Sequence, residues 1–133
     1  MEQPTARILL VDDEAPIRMT LERLLQRRGY VVMVAASGEE ALTQLTQHRF
    51  DLLLLDLRLP RISGLDIARH AQSLQPAPAI LLLTGHASLE AASDTPRLET
   101  FEYMLKTSSP QDVLARVAAI IQGALNRPEN RSP

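Results

Sequence analysis

Short, nearly unbroken aliphatic runs alternate along this chain with longer stretches in which apolar residues recur every three or four positions. The runs are RILLV (Arg7–Val11), VVMVA (Val31–Ala35), LLLL (Leu52–Leu55), AILLL (Ala79–Leu83) and FEYML (Phe101–Leu105). Three of them are almost wholly aliphatic. A strand half exposed to water would alternate apolar and polar residues, so these predict parallel strands covered on both faces.

The stretches between them predict helices. PIRMTLERLLQRRG sets Ile17, Leu21, Leu24 and Leu25 on one stripe, with Pro16 in the first turn and Gly29 at the stop. SGEEALTQLTQHR opens on Ser37 with Glu40 three residues later, the spacing of a capping box, and SGLDIARHAQSL repeats it more weakly with Ser63 and Asp66. SPQDVLARVAAIIQGAL offers Ser109 as cap, Pro110 in the first turn, and Val113, Val117, Ile120 and Ile121 on one side. The order is βαβαβαβαβα, which predicts a doubly wound α/β fold of five parallel strands and five helices with right-handed crossovers. In HASLEAASDTPRLET, Pro96 lacks a backbone donor and disfavours helix at Thr95, so the fourth helix is expected to be short or broken there. Residues 1–6 read as an N-terminal tail, 7–125 as the domain, and 126–133 (NRPENRSP) as a loose C-terminal tail.

Composition narrows the function. The chain has 133 residues, one ordinary domain, and 45% hydrophobic residues supply its core. With two Phe, two Tyr and no Trp, that core is aliphatic. A formal net charge of -2 supplies no basic field, which disfavours nucleic-acid binding by this domain alone. Without cysteine there are no disulfides or thiolate metal sites. The start MEQPTARILLVDDE lacks the basic-then-apolar order of a signal peptide, and no apolar run approaches the ~20 residues that span a bilayer. A cytoplasmic domain without membrane attachment is expected.

In an open parallel sheet, ligands bind outside the carboxyl ends of the strands. Asp12, Asp13 and Glu14 follow the first strand, Asp56 the third, Thr84, Gly85 and His86 the fourth, and Lys106 the fifth. Asp51 starts the third strand, about 17 Å of extended chain from Asp56. It therefore belongs to the opposite edge, where it reads as a solvated strand start. Converging carboxylates repel one another unless neutralised. Lys106 is one neutraliser, and a hard divalent cation such as Mg²⁺ is another, since all-oxygen ligation suits it. A lysine, a hydroxyl and a metal around a carboxylate also suit a phosphoryl group, with the aspartate as nucleophile. Singly, each residue is ordinary: a double Asp is often a turn, a strand-end Thr a cap, and a loop Lys solvated. Their arrival at four strand ends of one sheet favours the functional reading.

The segments ILLVDDE, DLLLLDLRLPRISGLDI, ILLLTGH and YMLK resemble the receiver domain of two-component response regulators, over about Arg7 to Leu125. The resemblance implies a flavodoxin-like sheet of order 2-1-3-4-5, the order of the chemotaxis receiver. It implies that Asp56 accepts the phosphoryl group, and that Asp13 and Asp56 ligate Mg²⁺ directly, Asp12 largely through water, and Arg58 through its backbone carbonyl. Thr84 would bond a phosphoryl oxygen and Lys106 would pair with it. Tyr103 matches the aromatic that changes rotamer when Thr84 moves, although an edge-strand packing role is an equal reading. Pro60 and Gly64 match the turn after the phosphoacceptor. The phosphodonor would be a phosphohistidine on a sensor histidine kinase or histidine phosphotransfer protein. The switched face, around strands four and five and the helices after them, would address a downstream effector or an output domain outside this chain.

Four departures qualify the resemblance. Lys106 precedes Thr107 where the family has a cis proline, and a non-proline cis bond costs about 3–4 kcal/mol more than trans. Glu99-Thr100 replaces a glycine-alanine pair, and Pro96 falls where the fourth helix normally ends. Both lie on the surface that many receivers use to pair, so a homodimer stays an open expectation. Arg58 and His86 occupy two variable positions whose side chains tune acyl-phosphate lifetime in the family. His86 reads more simply as a loop residue, and His48 and His70 as surface residues on helices. The basic end of the first helix, RLLQRR (Arg23–Arg28), favours the helix dipole and is not read as a nucleic-acid patch.

Two other functions compete. An aspartate-nucleophile phosphohydrolase of the haloacid-dehalogenase type would carry its nucleophile after the first strand, with a general acid two residues on. Here the candidate follows the third strand, with Arg58 two residues on. A degenerate receiver that binds partners without phosphate is permitted by Thr107 and opposed by the intact Asp12, Asp13, Asp56, Thr84 and Lys106. The expected protein is a signalling phosphoacceptor that assists its own phosphotransfer and slow hydrolysis, and is not an ordinary enzyme.

Overall fold

The structure, a computed structural model, describes residues 5–85, 101–106 and 108–125. Five strands, β1 (Arg7–Val11), β2 (Val31–Ala35), β3 (Leu52–Asp56), β4 (Ala79–Thr84) and β5 (Glu102–Leu105), form one sheet of order β2-β1-β3-β4-β5. Every neighbouring pair is parallel. The helices among the described residues are α1 (Ala15–Arg27), α2 (Gly38–Gln47), α3 (Gly64–Gln72) and α4 (Pro110–Leu125). The expected helix near Pro96, the bond between Lys106 and Thr107, and His86 lie outside the described residues. Among the described residues no helix is long and apolar enough to cross a membrane.

The leucine run of β3 explains the layers. All five residues of β3 are buried. Successive side chains of a strand point to opposite faces, so the run feeds two cores at once. Leu53 and Leu55 join Leu9, Val11 and Leu82 against Ala41, Leu45, Ile67 and Ala71 of α2 and α3. Leu52 and Leu54 join Ile8, Leu10, Leu81 and Leu83 against Leu21, Leu25, Val113, Val117 and Ile121 of α1 and α4. Each fully buried leucine is worth about 1.5–3 kcal/mol of transfer free energy.

Two strands run one residue further than their aliphatic runs: β3 ends on Asp56 and β4 on Thr84. These two polar residues are therefore held inside the sheet's hydrogen-bond ladder. At the fifth strand the order is reversed. Phe101 is buried just before β5, which begins at Glu102.

Helix starts follow the expected caps with local differences. Ser37 Oγ accepts the Glu40 N–H at 3.1 Å. The Glu40 carboxylate accepts from Ala36 N at 2.9 Å, one residue earlier than a reciprocal capping box would place it. Ser63 Oγ accepts from Leu65 N at 3.1 Å and not from Asp66, whose carboxylate sits 3.5 Å from Arg69 instead. Ser109 Oγ accepts from Asp112 N at 3.2 Å. Glu14 is the N-cap of α1 without a side-chain cap bond. After α1, Gly29 takes φ +95°, a left-handed conformation open to glycine at no steric cost.

Two sequence expectations change at the far edge of the sheet. Asp51 is exposed, but its Oδ2 accepts the Arg7 N–H at 2.7 Å, so it caps the start of β1 and is more than a solvated strand start. His48 does not lie on α2 but is its C-cap, 3.5 Å by Nδ1 from the Arg7 guanidinium and edge-on to Phe50. Arg7 in turn lies over the Phe50 ring at 5.8 Å. His70 is on α3 and exposed, as expected.

Candidate functional site

The alternation that turns Leu10, Leu54 and Met104 toward α1 and α4 continues to Asp56, the last residue of β3, and to Asp12 and Lys106, just past the ends of β1 and β5. These three residues meet. Lys106 Nζ donates to Asp56 Oδ2 at 2.7 Å and to Asp12 Oδ1 at 3.2 Å. Its third donor goes to Glu14 Oε1 at the rim. An ammonium has three N–H groups, so each is used on a different carboxylate.

Asp12 is fully buried and Asp56 is 3% exposed. Asp12 Oδ1 also accepts the Glu14 N–H at 2.8 Å, and Arg18 Nη1 donates to the Asp12 carbonyl at 2.8 Å, tying the β1–α1 turn to the helix. Asp56 Oδ1 accepts the Arg58 N–H at 3.0 Å. Burial pushes the Asp56 carboxyl above its ordinary range, and Asp12 adds to this; the bonds from Lys106 and Arg58 N pull the other way without cancelling it. Burial works against the Lys106 charge, but the bonds to Asp56, Glu14 and Asp12 outweigh it and raise its pKa, so the ammonium stays charged.

Among the described residues, the buried Asp12 Oδ2 has no hydrogen-bond partner. A buried carboxylate oxygen without a donor costs free energy unless something positive approaches it. Asp12, Asp13 and Asp56 each offer a carboxylate oxygen, and these lie within 4.8 Å of one another. Asp13 is exposed and opens the cluster to solvent. An all-carboxylate set with an open side and an orphaned oxygen fits a hard divalent cation such as Mg²⁺.

The chain turns away from Asp56 in a tight loop. Pro60 O accepts from Ile62 N at 2.7 Å around Arg61, whose φ is +69°, a strained setting for a non-glycine residue. Gly64 then packs its backbone on the strand end. A Cβ there would stand 2.4 Å from Asp56 O and 2.7 Å from Leu57 Cα, so only glycine fits. The turn expected at Pro60 and Gly64 thus has a steric basis.

The remaining expected residues are placed as follows. Thr84 is buried at the end of β4, and its carbonyl accepts the Lys106 N–H, joining the two strand ends. Tyr103 pairs in register with Leu82 and is 49% exposed, so it is not packed away. Arg58 has its side chain in solvent. Asp51 stands at the opposite edge, as expected. Sequence reasoning placed Glu14 at a strand end without giving it a role, and did not single out Arg18. The DDE triplet was the available signal for Glu14. Arg18, one turn into α1, carried none.

Residues 8–118 match the family described as "Response regulator receiver domain". The chain is 36% identical over 120 residues to the transcriptional regulatory protein ResD of Bacillus subtilis, covering 89% of this chain and 49% of ResD. It is 36% identical over 116 residues to the alginate biosynthesis transcriptional regulatory protein AlgB of Pseudomonas aeruginosa, covering 87% of this chain and 25% of AlgB. The chain therefore spans half or less of the length of these relatives. Among solved structures it is similar to a CheY-like receiver domain protein of Methanospirillum hungatei, with TM-score 0.82, 30% identity and 91% and 97% of the two chains covered. It is also similar to response regulator TrrA of Thermotoga maritima, solved in complex with Mg(2+)-BeF, with TM-score 0.76, 32% identity and 87% and 99% covered.

Proposed function

The chain belongs to the response regulator receiver family, and from that premise we propose that Asp56 accepts a phosphoryl group from a phosphohistidine on a partner protein. The observation that carries this reading is the environment of one carboxylate. Asp56 is fixed at the end of the buried β3, bonded to a charged lysine, beside a buried Asp12 oxygen that lacks a donor.

In the step, an Asp56 carboxylate oxygen forms a bond to phosphorus as the bond from phosphorus to the histidine nitrogen breaks. The imidazole nitrogen leaves with the electron pair and takes up a proton from solvent. Asp12, Asp13, Asp56 and the Arg58 carbonyl would hold Mg²⁺, which supplies charge neutralisation for the phosphoryl oxygens when bound. Lys106 moves its bond from Asp56 Oδ2 to a phosphoryl oxygen, and the Thr84 hydroxyl donates to another. Rigid strands set this geometry before the donor arrives, so little reorganisation is needed. The acyl phosphate is later cleaved by water, releasing inorganic phosphate and restoring the carboxylate.

The partner donor is a sensor histidine kinase or a histidine phosphotransfer protein. Closure of Thr84 and Lys106 on the phosphoryl group changes the β4–β5 side of the sheet, where Tyr103 stands exposed, and this side addresses an effector or output domain. His86 and Arg58 tune the acyl-phosphate lifetime. The domain acts as a signalling phosphoacceptor.

A phosphate-independent interaction module is the second reading, and the intact carboxylate and lysine cluster weighs against it. The test is incubation with Mg²⁺ and acetyl phosphate, read by intact mass. Addition of one phosphoryl group to the wild type and none to Asp56→Asn is the expected result. An unmodified wild type, or a labelled Asp56→Asn, sinks the reading.

A further inference from the structure

Glu14 is the one carboxylate on Lys106 that stands outside the metal-binding group. Asp12 and Asp56 belong to the cluster whose oxygens converge within 4.8 Å, and Glu14 does not. Its side chain is 57% exposed at the rim, yet its Oε1 takes one of the three Lys106 donors. Lys106 itself is 11% exposed and has no other acceptors among the described residues.

The consequences differ for the three partners once a phosphoryl group arrives. Asp56 loses its free charge to the new bond, and the charge of Asp12 is shared with a cation. Glu14 keeps its full charge and its hold. The phosphoryl oxygens must then take Lys106 against Glu14. Glu14 also places a negative charge at the open side of the site, on the approach of an anionic donor.

We propose that Glu14 is a positioning residue that holds Lys106 in competition with the phosphoryl group, and so sets how tightly the site takes up that group. The inference rests on Asp56 being the phosphoacceptor. The competition is modest, because an exposed carboxylate is well solvated and an exposed ion pair contributes up to about 1 kcal/mol.

The test uses beryllofluoride with saturating Mg²⁺ as a phosphoryl stand-in, titrated calorimetrically into the wild type, Glu14→Gln and Glu14→Asp at low ionic strength. Glu14→Gln is expected to bind beryllofluoride roughly two- to fivefold more tightly, the equivalent of that exposed ion pair. Mg²⁺ alone is expected to bind Glu14→Gln no more tightly than the wild type, since a nearby negative charge has been removed. Glu14→Asp keeps the charge at the rim and is expected to return toward the wild-type affinity. Equal or weaker beryllofluoride binding by Glu14→Gln, or a Glu14→Asp that matches Glu14→Gln, overturns the proposal. A wild type that takes up neither beryllofluoride nor phosphate from acetyl phosphate instead overturns the assignment of Asp56.

Discussion

Lys106 Nζ stands 2.7 Å from Asp56 Oδ2, across a separation of 50 residues in the chain. Both side chains are largely buried, 11% and 4% exposed. A charged pair in this setting is strongly coupled, and its members cannot be removed one at a time without consequence.

The first consequence concerns Lys106. In Lys106→Ala, Asp12 and Asp56 stay buried, and the counter-charge they share is gone. Removing one partner of a buried pair costs about 3–5 kcal/mol. The loss should be largest in chelator and smaller in Mg²⁺, which can approach the same oxygens. Urea denaturation of both proteins with and without Mg²⁺ measures the difference. An equal loss under the two conditions would show that Lys106 is not the neutraliser of this cluster.

The second contrasts two aspartates of one strand segment. Asp51→Asn retains a side-chain oxygen that can accept the Arg7 N–H, and Asp51 lies at the far edge from the cluster. It should take up phosphate from acetyl phosphate at close to the wild-type rate, with stability within about 1 kcal/mol of wild type for one altered hydrogen bond. Asp56→Asn should take up none. Intact mass after a fixed incubation separates the two outcomes, and labelling lost in both variants would mean that the edges of the sheet are not independent.

How far the chain could be read in advance depended on the range of each signal. The alternation of strands and helices, the buried β3 and the cluster of Asp12, Asp13 and Asp56 were legible, because strand periodicity and strand-end position are local properties, whereas the sheet order came from the family resemblance. Ser37 and Ser109 cap as their spacing implies. Ser63 caps Leu65 N and not Asp66 N, and the Asp66 carboxylate lies beside Arg69 one turn later, neither of which the Ser-Asp spacing reveals. The hold of Lys106 on Glu14 spans 92 residues and has no spacing rule that would reveal it. Likewise the bond from Arg7 N to Asp51 depends on the register of β1 against β3, which no single segment encodes.

The third prediction tests the close approach behind Asp56. Gly64→Ala would push a methyl group to 2.4 Å from Asp56 O, a backbone atom with nowhere to go. The expected cost is about 1–3 kcal/mol, with slower phosphorylation because the displaced atom belongs to the proposed acceptor residue. Gly123→Ala is the matched control. It lies in α4 with nothing within 4 Å of the new Cβ, so it should stabilise by about 0.5–1 kcal/mol through helix propensity alone. Thermal melts of both variants, with phosphorylation by acetyl phosphate, decide the point. A Gly64→Ala protein as stable as the wild type would mean that the loop yields more easily than the packing implies.

The fourth prediction concerns the orphaned oxygen of Asp12. If that oxygen and its neighbours hold Mg²⁺, then saturating metal raises stability by an amount that grows with its concentration over its dissociation constant. A tenfold loss of affinity removes about 1.4 kcal/mol of that gain. Asp12→Asn keeps an oxygen but withdraws one negative charge from the cluster, so the rise in melting temperature on adding Mg²⁺ should shrink sharply. Asp66→Asn, on the exposed face of α3 and paired with Arg69, should leave the rise unchanged. The quantity to compare is the Mg²⁺-induced shift within each variant, which cancels any change the substitution makes to the metal-free protein. A full-sized shift in Asp12→Asn would place the metal elsewhere than among Asp12, Asp13 and Asp56.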